Sequence, residues 1–298
     1  MRFYDADVVA ALGPADAVQA VTDALRGGLD PAVDPPRTPV DLTAGQFLLM
    51  PSETSAAAGV KVATVAPGNP AHGLPRIHAA YLLFDRDTLA LRAVLDGTAL
   101  TTLRTPAVSV AAVLGRLPES PLRVVVIGAG PQATGHVATL AAVRPLETTT
   151  YLVRDPSRTA LDAVALGSRQ ADDALGTADV VVCATSARTP VFDSALLGDE
   201  VVVVAVGSHE PDARELDAAL LGRATVVVED VATALREAGD VVMAISEGTL
   251  RAEELVPMRA VLTGTTTVPT THPLVFKSVG MAWQDLVVAT AVVERQPD

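Results

Sequence analysis

Arg123–His136, RVVVIGAGPQATGH, is the stretch from which the fold of this chain is read. Four aliphatic residues, Val124 to Ile127, run directly into Gly128-Ala129-Gly130 and then into a segment of helical composition. A parallel strand buried on both faces requires such a β-branched run. The glycines come next because the chain must turn sharply and let a pyrophosphate approach its backbone. A helix starting near Pro131 aims its free N–H groups and the positive end of its dipole at that phosphate. Ala133 fills the third small position and allows close helix–strand packing. A lone G-x-G-x-x-A is a weak signal. Here a strand precedes it, a helix follows, and an alternating region opens behind it, which favours a nucleotide site over a structural turn.

Downstream, aliphatic strands are predicted at 122–127, 148–153, 179–184, 201–206 and 225–228, with helical or loop segments between them. That alternation is the mark of an α/β doubly wound parallel sheet, Rossmann-like. A helix follows over 231–237, and residues 275–296 read as a last helix after a turn at Ser278–Gly280. Upstream the pattern differs. Residues 5–28 are helical, interrupted by Pro14 and ended by Gly27-Gly28, and a proline-rich link then carries Arg37. Strands are expected at 40–50 and 59–66, and a hairpin pairs 77–84 with 89–95 across Asp85-Arg86-Asp87. A helix over 98–115 contains Pro106. The first 115 residues are thus α+β with a mostly antiparallel sheet.

A chain of 298 residues fits about two domains. Its net charge of −13 argues against nucleic acid or an anionic membrane as a partner. No apolar run approaches the ~20 residues of a membrane span, and the acidic N-terminus, MRFYDADVVAAL, has no signal-peptide shape. The single cysteine, Cys183, lies among apolar strand residues, reads as an inert thiol and suits a reducing cytoplasm. Of 22 Lys+Arg, only Lys61 and Lys277 are lysines, so an ammonium is kept at just two places in a chain that otherwise uses arginine. An arginine fork cannot replace a compact ammonium of tunable pKa. His72, His78, His136 and His272 show no metal-ligand spacing, no metal is expected, and His136 reads as a packing residue.

Several stretches together resemble the ornithine cyclodeaminase/mu-crystallin family: GVKVATVAPGNPAHGLPRIHAAYLLFD (59–85), LDGTALTTLRTPAVS (95–109), IGAGPQATGH (127–136), ADVVVCATS (178–186) and VFKSVGMAWQDL (275–286). The resemblance implies a homodimeric two-domain enzyme. Residues 1–117 and the C-terminal helix 275–298 would form a substrate and dimerisation domain, and 118–274 a dinucleotide-binding domain. It implies a small imino- or amino-acid substrate. The reaction would be nicotinamide-dependent reduction of a cyclic ketimine acid such as 1-pyrroline-2-carboxylate, or the reverse oxidation. The alternatives are cyclisation of ornithine to proline with loss of ammonia, and non-catalytic binding of a ligand as in mu-crystallin.

Residue by residue, the resemblance places Arg37 and Arg104 on the substrate carboxylate and Lys61 at the active-site lysine. Gly128, Gly130, Pro131 and Gln132 would line the pyrophosphate. Thr185, Val206, Lys277 and Ser278 join the cofactor set, the last two in a motif that closes over the site. Cyclodeaminases of the family carry a catalytic aspartate in the loop after the strand equivalent to 201–206. That loop here reads Gly207-Ser208-His209-Glu210-Pro211, with His209 in the aspartate's place, which weighs against the cyclodeaminase reading.

The residue types suit these roles. Each arginine can give two parallel hydrogen bonds to a carboxylate. Lys61 alternates with Ala63 and Val65, and a lysine on an apolar strand face has a depressed pKa and can move a proton. His209, at a strand end of a parallel sheet, is an acid or base candidate. Cofactor choice turns on Val153-Arg154-Asp155-Pro156-Ser157-Arg158. Arg154, supported by Arg158, points to the 2′-phosphate of NADP, whereas Asp155 turned inward would bind a ribose and favour NAD. Asp155 and Asp179 lie only 24 positions apart, so the third strand and its helix are expected to be short.

Overall fold

The computed structural model describes residues 2–296 and divides into two compact units. One runs through Val108 and resumes at Met281; the other is Ser109–Gly280.

The first unit opens with β1 (Arg2–Tyr4), α1 (Ala6–Ala10) and α2 (Pro14–Arg26). Asp5 caps α1 by accepting from Val8 N, and Pro14 starts α2, so the proline divides the expected helix in two. Strands β2 (Thr38–Leu42), β3 (Gly45–Glu53), β4 (Ala57–Val65), β5 (Ile77–Asp85) and β6 (Leu91–Asp96) follow, then α3 (Gly97–Val113). They form a six-stranded sheet in the order β1-β6-β5-β4-β3-β2, antiparallel except where β1 lies parallel to β6. Strand alternation buries Ala57, Gly59, Lys61 and Ala63 on one face of β4. The C-terminal helix, Ala282–Glu294, packs on that face with Trp283, Leu286, Val288 and Val292 buried. The helix start is held from far along the chain, because Asp34 accepts from Trp283 N at 2.9 Å.

The second unit contains β7 (Leu122–Ile127), α4 (Pro131–Val143), β8 (Leu146–Val153), β9 (Ala163–Ala165), α5 (Arg169–Thr177), β10 (Val180–Cys183), β11 (Val202–Ala205), α6 (Ala218–Arg223) and β12 (Thr225–Val228). It continues through α7 (Val231–Glu237), α8 (Gly239–Ser246), β13 (Val256–Pro257), α9 (Met258–Leu262) and β14 (Leu274–Lys277). Its eight-stranded sheet is parallel throughout, ordered β13-β12-β14-β11-β10-β7-β8-β9. The valine runs of β7, β10, β11 and β12 form its core. As expected, the third strand is short: β9 has three residues and only a 3-10 turn, Pro156–Arg158, precedes it.

One expectation is corrected. Residues 275–277 are not helical. Leu274–Lys277 is a fully buried strand paired with both β11 and β12, and the last helix starts only at Ala282. Four consecutive apolar-stemmed residues read equally as buried helix or buried strand, and their neighbours decide. The two compact units meet at 108/109 and 280/281, within about ten residues of the expected domain limits.

Candidate active site

In the first unit, two buried cations meet one buried carboxylate. Lys61, at the middle of β4, is 4% exposed and its Nζ lies 2.8 Å from Asp285 Oδ2. Arg104, on α3, is 5% exposed; its Nε donates to Asp285 Oδ1 at 3.3 Å and its Nη1 to Gln284 Oε1 at 2.7 Å. Asp285 is wholly buried in the first turn of the C-terminal helix. Arg37, half-buried ahead of β2, is close enough for its charge to act on Lys61.

Burial lowers the Lys61 pKa to about 8. The charges of Arg104 and Arg37 push the same way, and Asp285 opposes them. Asp34 is raised, first by burial, against hydrogen bonds that include the one from Trp283 N. Tyr81 pairs with Lys61 across β4 and β5, and burial with the nearby charges of Asp285 and Asp34 pushes its hydroxyl well up. The two buried cations, Lys61 and Arg104, thus share Asp285, and the second carboxyl nearby, Asp34, is one whose charge burial disfavours. Excess positive charge in a low-dielectric setting attracts an anion, and a lysine titrating near 8 can give or take a proton near neutral pH. A separate groove of 1220 Å³ on this unit runs along α2 and the C-terminal helix, lined by Val33, Asp34, Leu89 and Trp283 but not by Lys61 or Arg104.

In the second unit, Gly128 follows β7 at φ +122°, and a Cβ there would lie 2.5 Å from the Ala184 carbonyl oxygen. Only glycine fits. Gly130 differs: its φ of −86° suits any residue, and a Cβ would meet nothing within 4 Å. The space beside Gly130 is therefore open to a ligand rather than filled by protein. Helix α4 starts there with Pro131 in its first turn, no capping side chain and no acid in the first turn. A thirteen-residue helix left this way presents N–H groups and a positive dipole end to an anion. The turn fits a dinucleotide, and Gly128, Gly130, Pro131 and Gln132 are the residues that would carry its pyrophosphate. Ala133 is buried, as close packing requires. His136 is a packing residue, bonded to Gln132 O and Ser109 Oγ and lowered by burial to about 4. Cys183 is fully buried, with its thiol pushed well up.

The other candidates fall as follows. Arg154 and Asp155 are exposed at the end of β8, where Asp155 accepts from Ser157 N and Oγ and so caps its own turn. Thr185 and Val206 follow β10 and β11, half-buried. His209 is exposed in the loop after β11. Lys277 and Ser278 do not match the expectation of polar ends turned to a cofactor. They are 1% and 2% exposed. Lys277 Nζ donates to Ser208 O at 2.6 Å and pairs with Asp240 at 2.9 Å, while Ser278 Oγ donates to Glu229 at 2.7 Å.

Sequence reasoning missed Asp285, Gln284, Asp34, Glu215, Asp240 and Glu229. The one available signal was a Gln-Asp pair inside the otherwise apolar AWQDLVVATAVV, where an ionisable residue on a buried face needs a partner. Among the described residues, no group of three or more His, Cys, Asp or Glu is arranged to hold a metal ion.

Comparisons with known proteins extend over the whole chain. The sequence signature of the ornithine cyclodeaminase/mu-crystallin family matches residues 5–298. The Delta(1)-pyrroline-2-carboxylate/Delta(1)-piperideine-2-carboxylate reductase of Azospirillum brasilense is 36% identical over 277 residues, covering 90% of this chain and 86% of that protein. Among solved structures, the Delta(1)-pyrroline-2-carboxylate reductase of Thermococcus litoralis, in complex with NADH and L-proline, superimposes with a TM-score of 0.86. It is 26% identical over 99% of this chain and 97% of that one. An archaeal alanine dehydrogenase dimer with bound NAD gives 0.85 at 27% identity, over 98% and 94% of the two chains.

Proposed function

The chain belongs to the ornithine cyclodeaminase/mu-crystallin family, and on that premise we propose that it is an NAD(P)H-dependent reductase of small cyclic imino acids of the 1-pyrroline-2-carboxylate type, able to run in reverse as an NAD(P)+-dependent oxidation of the amino acid at the same C–N bond. The observation that carries this reading is the pair of buried cations, Lys61 and Arg104, that share one carboxylate. Arg104 and Arg37 bind the substrate carboxylate through their forks. Lys61 delivers the proton to the imine nitrogen. Gly128–Gln132, together with Thr185 and Val206, would hold the dinucleotide, which would supply the hydride. Fixed geometry and preset charge account for most of the acceleration. The test is NADPH or NADH consumption with 1-pyrroline-2-carboxylate and its six-membered homologue. Release of ammonia and proline from ornithine without net cofactor turnover would overturn the reading in favour of a cyclodeaminase.

The pH dependence follows from Lys61, whose pKa is near 8. A proton donor works while protonated, so kcat/KM for reduction should hold below about pH 8 and fall above it; oxidation, which needs the free amine, should rise through the same range. Paired pH profiles of the two directions check this, and two profiles of the same sign would remove Lys61 from the proton step.

The finer cofactor choice is NADP(H). Asp155 is spent on Ser157, and Arg154 and Arg158 stand exposed beside it, a setting that suits a 2′-phosphate. A hydrogen bond to a charged group contributes about 1.5–3 kcal/mol. Arg154→Ala should therefore raise KM for NADPH by roughly 10- to 100-fold while leaving KM for NADH unchanged. Steady-state kinetics with both cofactors decide.

The assembly is a homodimer joined through the outer face of the antiparallel sheet. That face, opposite Lys61, carries Val40 and Leu42, which are exposed, and Phe47, Leu49, Val60, Val62, Leu82 and Phe84, which are half-buried. Contiguous apolar surface of this kind marks an interaction site. No helix among the described residues is long and apolar enough to cross a membrane. The lone reduced cysteine supports a cytoplasmic location.

A further inference from the structure

The chain keeps two lysines, and each is enclosed against an aspartate. The first is accounted for above. The second, Lys277 at the end of β14, anchors a buried charged cluster that the reaction does not use. Its Nζ donates to Ser208 O at 2.6 Å and pairs with Asp240 at 2.9 Å. Asp240 accepts the backbone N–H of Glu215 at 2.7 Å and of Leu216 at 2.8 Å. Glu215, fully buried, accepts from Thr185 N at 2.8 Å, Thr185 Oγ1 at 2.7 Å and Gly207 N at 2.7 Å.

We propose that Glu215, with Asp240 and Lys277 behind it, is the positioning device for the cofactor-side loops of the parallel sheet. The proposal rests on the dinucleotide-binding reading given above. A single carboxylate ties Thr185, the second residue after β10, to Gly207, the second after β11, and Lys277, from the strand on the other side of β11, ties down the carbonyl of Ser208. Ligands of open parallel sheets bind at these carboxyl ends. The loops touch so closely that a Cβ on Gly207 would lie 2.0 Å from Thr185 O and 2.5 Å from Glu215 Oε1. From outside, Arg188 bridges Glu210 at 2.6 Å and Asp212 at 2.5 Å. Val206 and His209 are therefore flanked by fixed neighbours. Stability alone does not account for the cluster, because well-packed apolar side chains serve as well as a buried ion pair or better. What charges add is direction: each accepting oxygen fixes a donor's position.

The test is fluorescence titration with NADPH, and NADH in parallel, on the full chain held well below its melting temperature. Glu215→Gln keeps the shape and loses an acceptor, since an amide N–H then faces a donor. The NADPH dissociation constant should rise roughly 10-fold or more, with KM for the imino acid unchanged at saturating cofactor. Lys277→Met leaves Asp240 without its cation and risks misfolding, so it is made together with Asp240→Asn, which retains a carbonyl oxygen for the two N–H groups. This double variant should also weaken NADPH binding. A lowered melting temperature with an unchanged dissociation constant in both variants overturns the proposal and leaves the cluster structural. A wild-type chain that binds neither dinucleotide overturns it as well. The titration needs no substrate, so a wild-type chain that binds NADPH yet reduces no cyclic imino acid sinks the reductase reading alone.

Discussion

Lys61→Met should lower kcat for imino-acid reduction by roughly 10²- to 10⁴-fold, the contribution of a positioned acid or base, and leave NADPH affinity unchanged. The reason lies in where the side chain stands. Lys61 is in the centre of β4, flanked by Met50 and Tyr81 on neighbouring strands, and only its end reaches a polar partner. Methionine has similar length and no charge, so the apolar stem stays packed while the proton is lost. Asp285 still has Arg104 as a partner in the variant, which keeps the fold. The glycine turn belongs to the other compact unit with its own core. Single-turnover kinetics and NADPH titration separate the two effects. Undiminished turnover would show that Lys61 takes no part in the chemistry. The same variant should abolish the pH inflection near 8, because that is the group whose pKa lies there.

Asp285→Ala should have the largest effect on stability. Asp285 is the shared partner of Lys61 and Arg104, and all three are buried. Removing one partner of a buried pair typically costs about 3–5 kcal/mol, because the remaining charge is left uncompensated. Here two cations lose their partner at once, and Gln284 offers only a neutral acceptor to Arg104. At about 2–4 °C per kcal/mol, the melting temperature should fall by roughly 6–20 °C. Thermal melts check this. A carboxylate ligand such as L-proline should stabilise the variant more than the parent, because it returns the missing negative charge. If Asp285→Ala melts like the parent, the carboxylate is not what holds the two cations in place.

The pattern that specifies the parallel half is local, and for that reason it could be read directly. Val124 to Ile127 lies within β7, which spans the expected 122–127, Gly128 turns at positive φ, and Pro131 opens α4. A strand buried on both faces must be aliphatic, and a turn that leaves no room for a Cβ must be glycine; neither depends on distant residues. Lys61 was legible on the same grounds, since period-two alternation alone puts it with Ala63 on the apolar face. Its partner was not. Asp285 lies 224 residues away, and an acid in a helix's first turn reads equally well as a favourable charge at the dipole's positive end. Only the packing of the C-terminal helix on β4 turned it into the counter-ion of two buried cations. Likewise Lys277 could be picked out as a retained ammonium, but only the closing of β14 between β11 and β12 fixed what it holds. Sequence determines the short-range geometry of each element because steric and propensity terms act over a few residues. Charge compensation in the interior belongs to the tertiary structure, because a buried ion is stable only beside a partner that the chain brings from elsewhere.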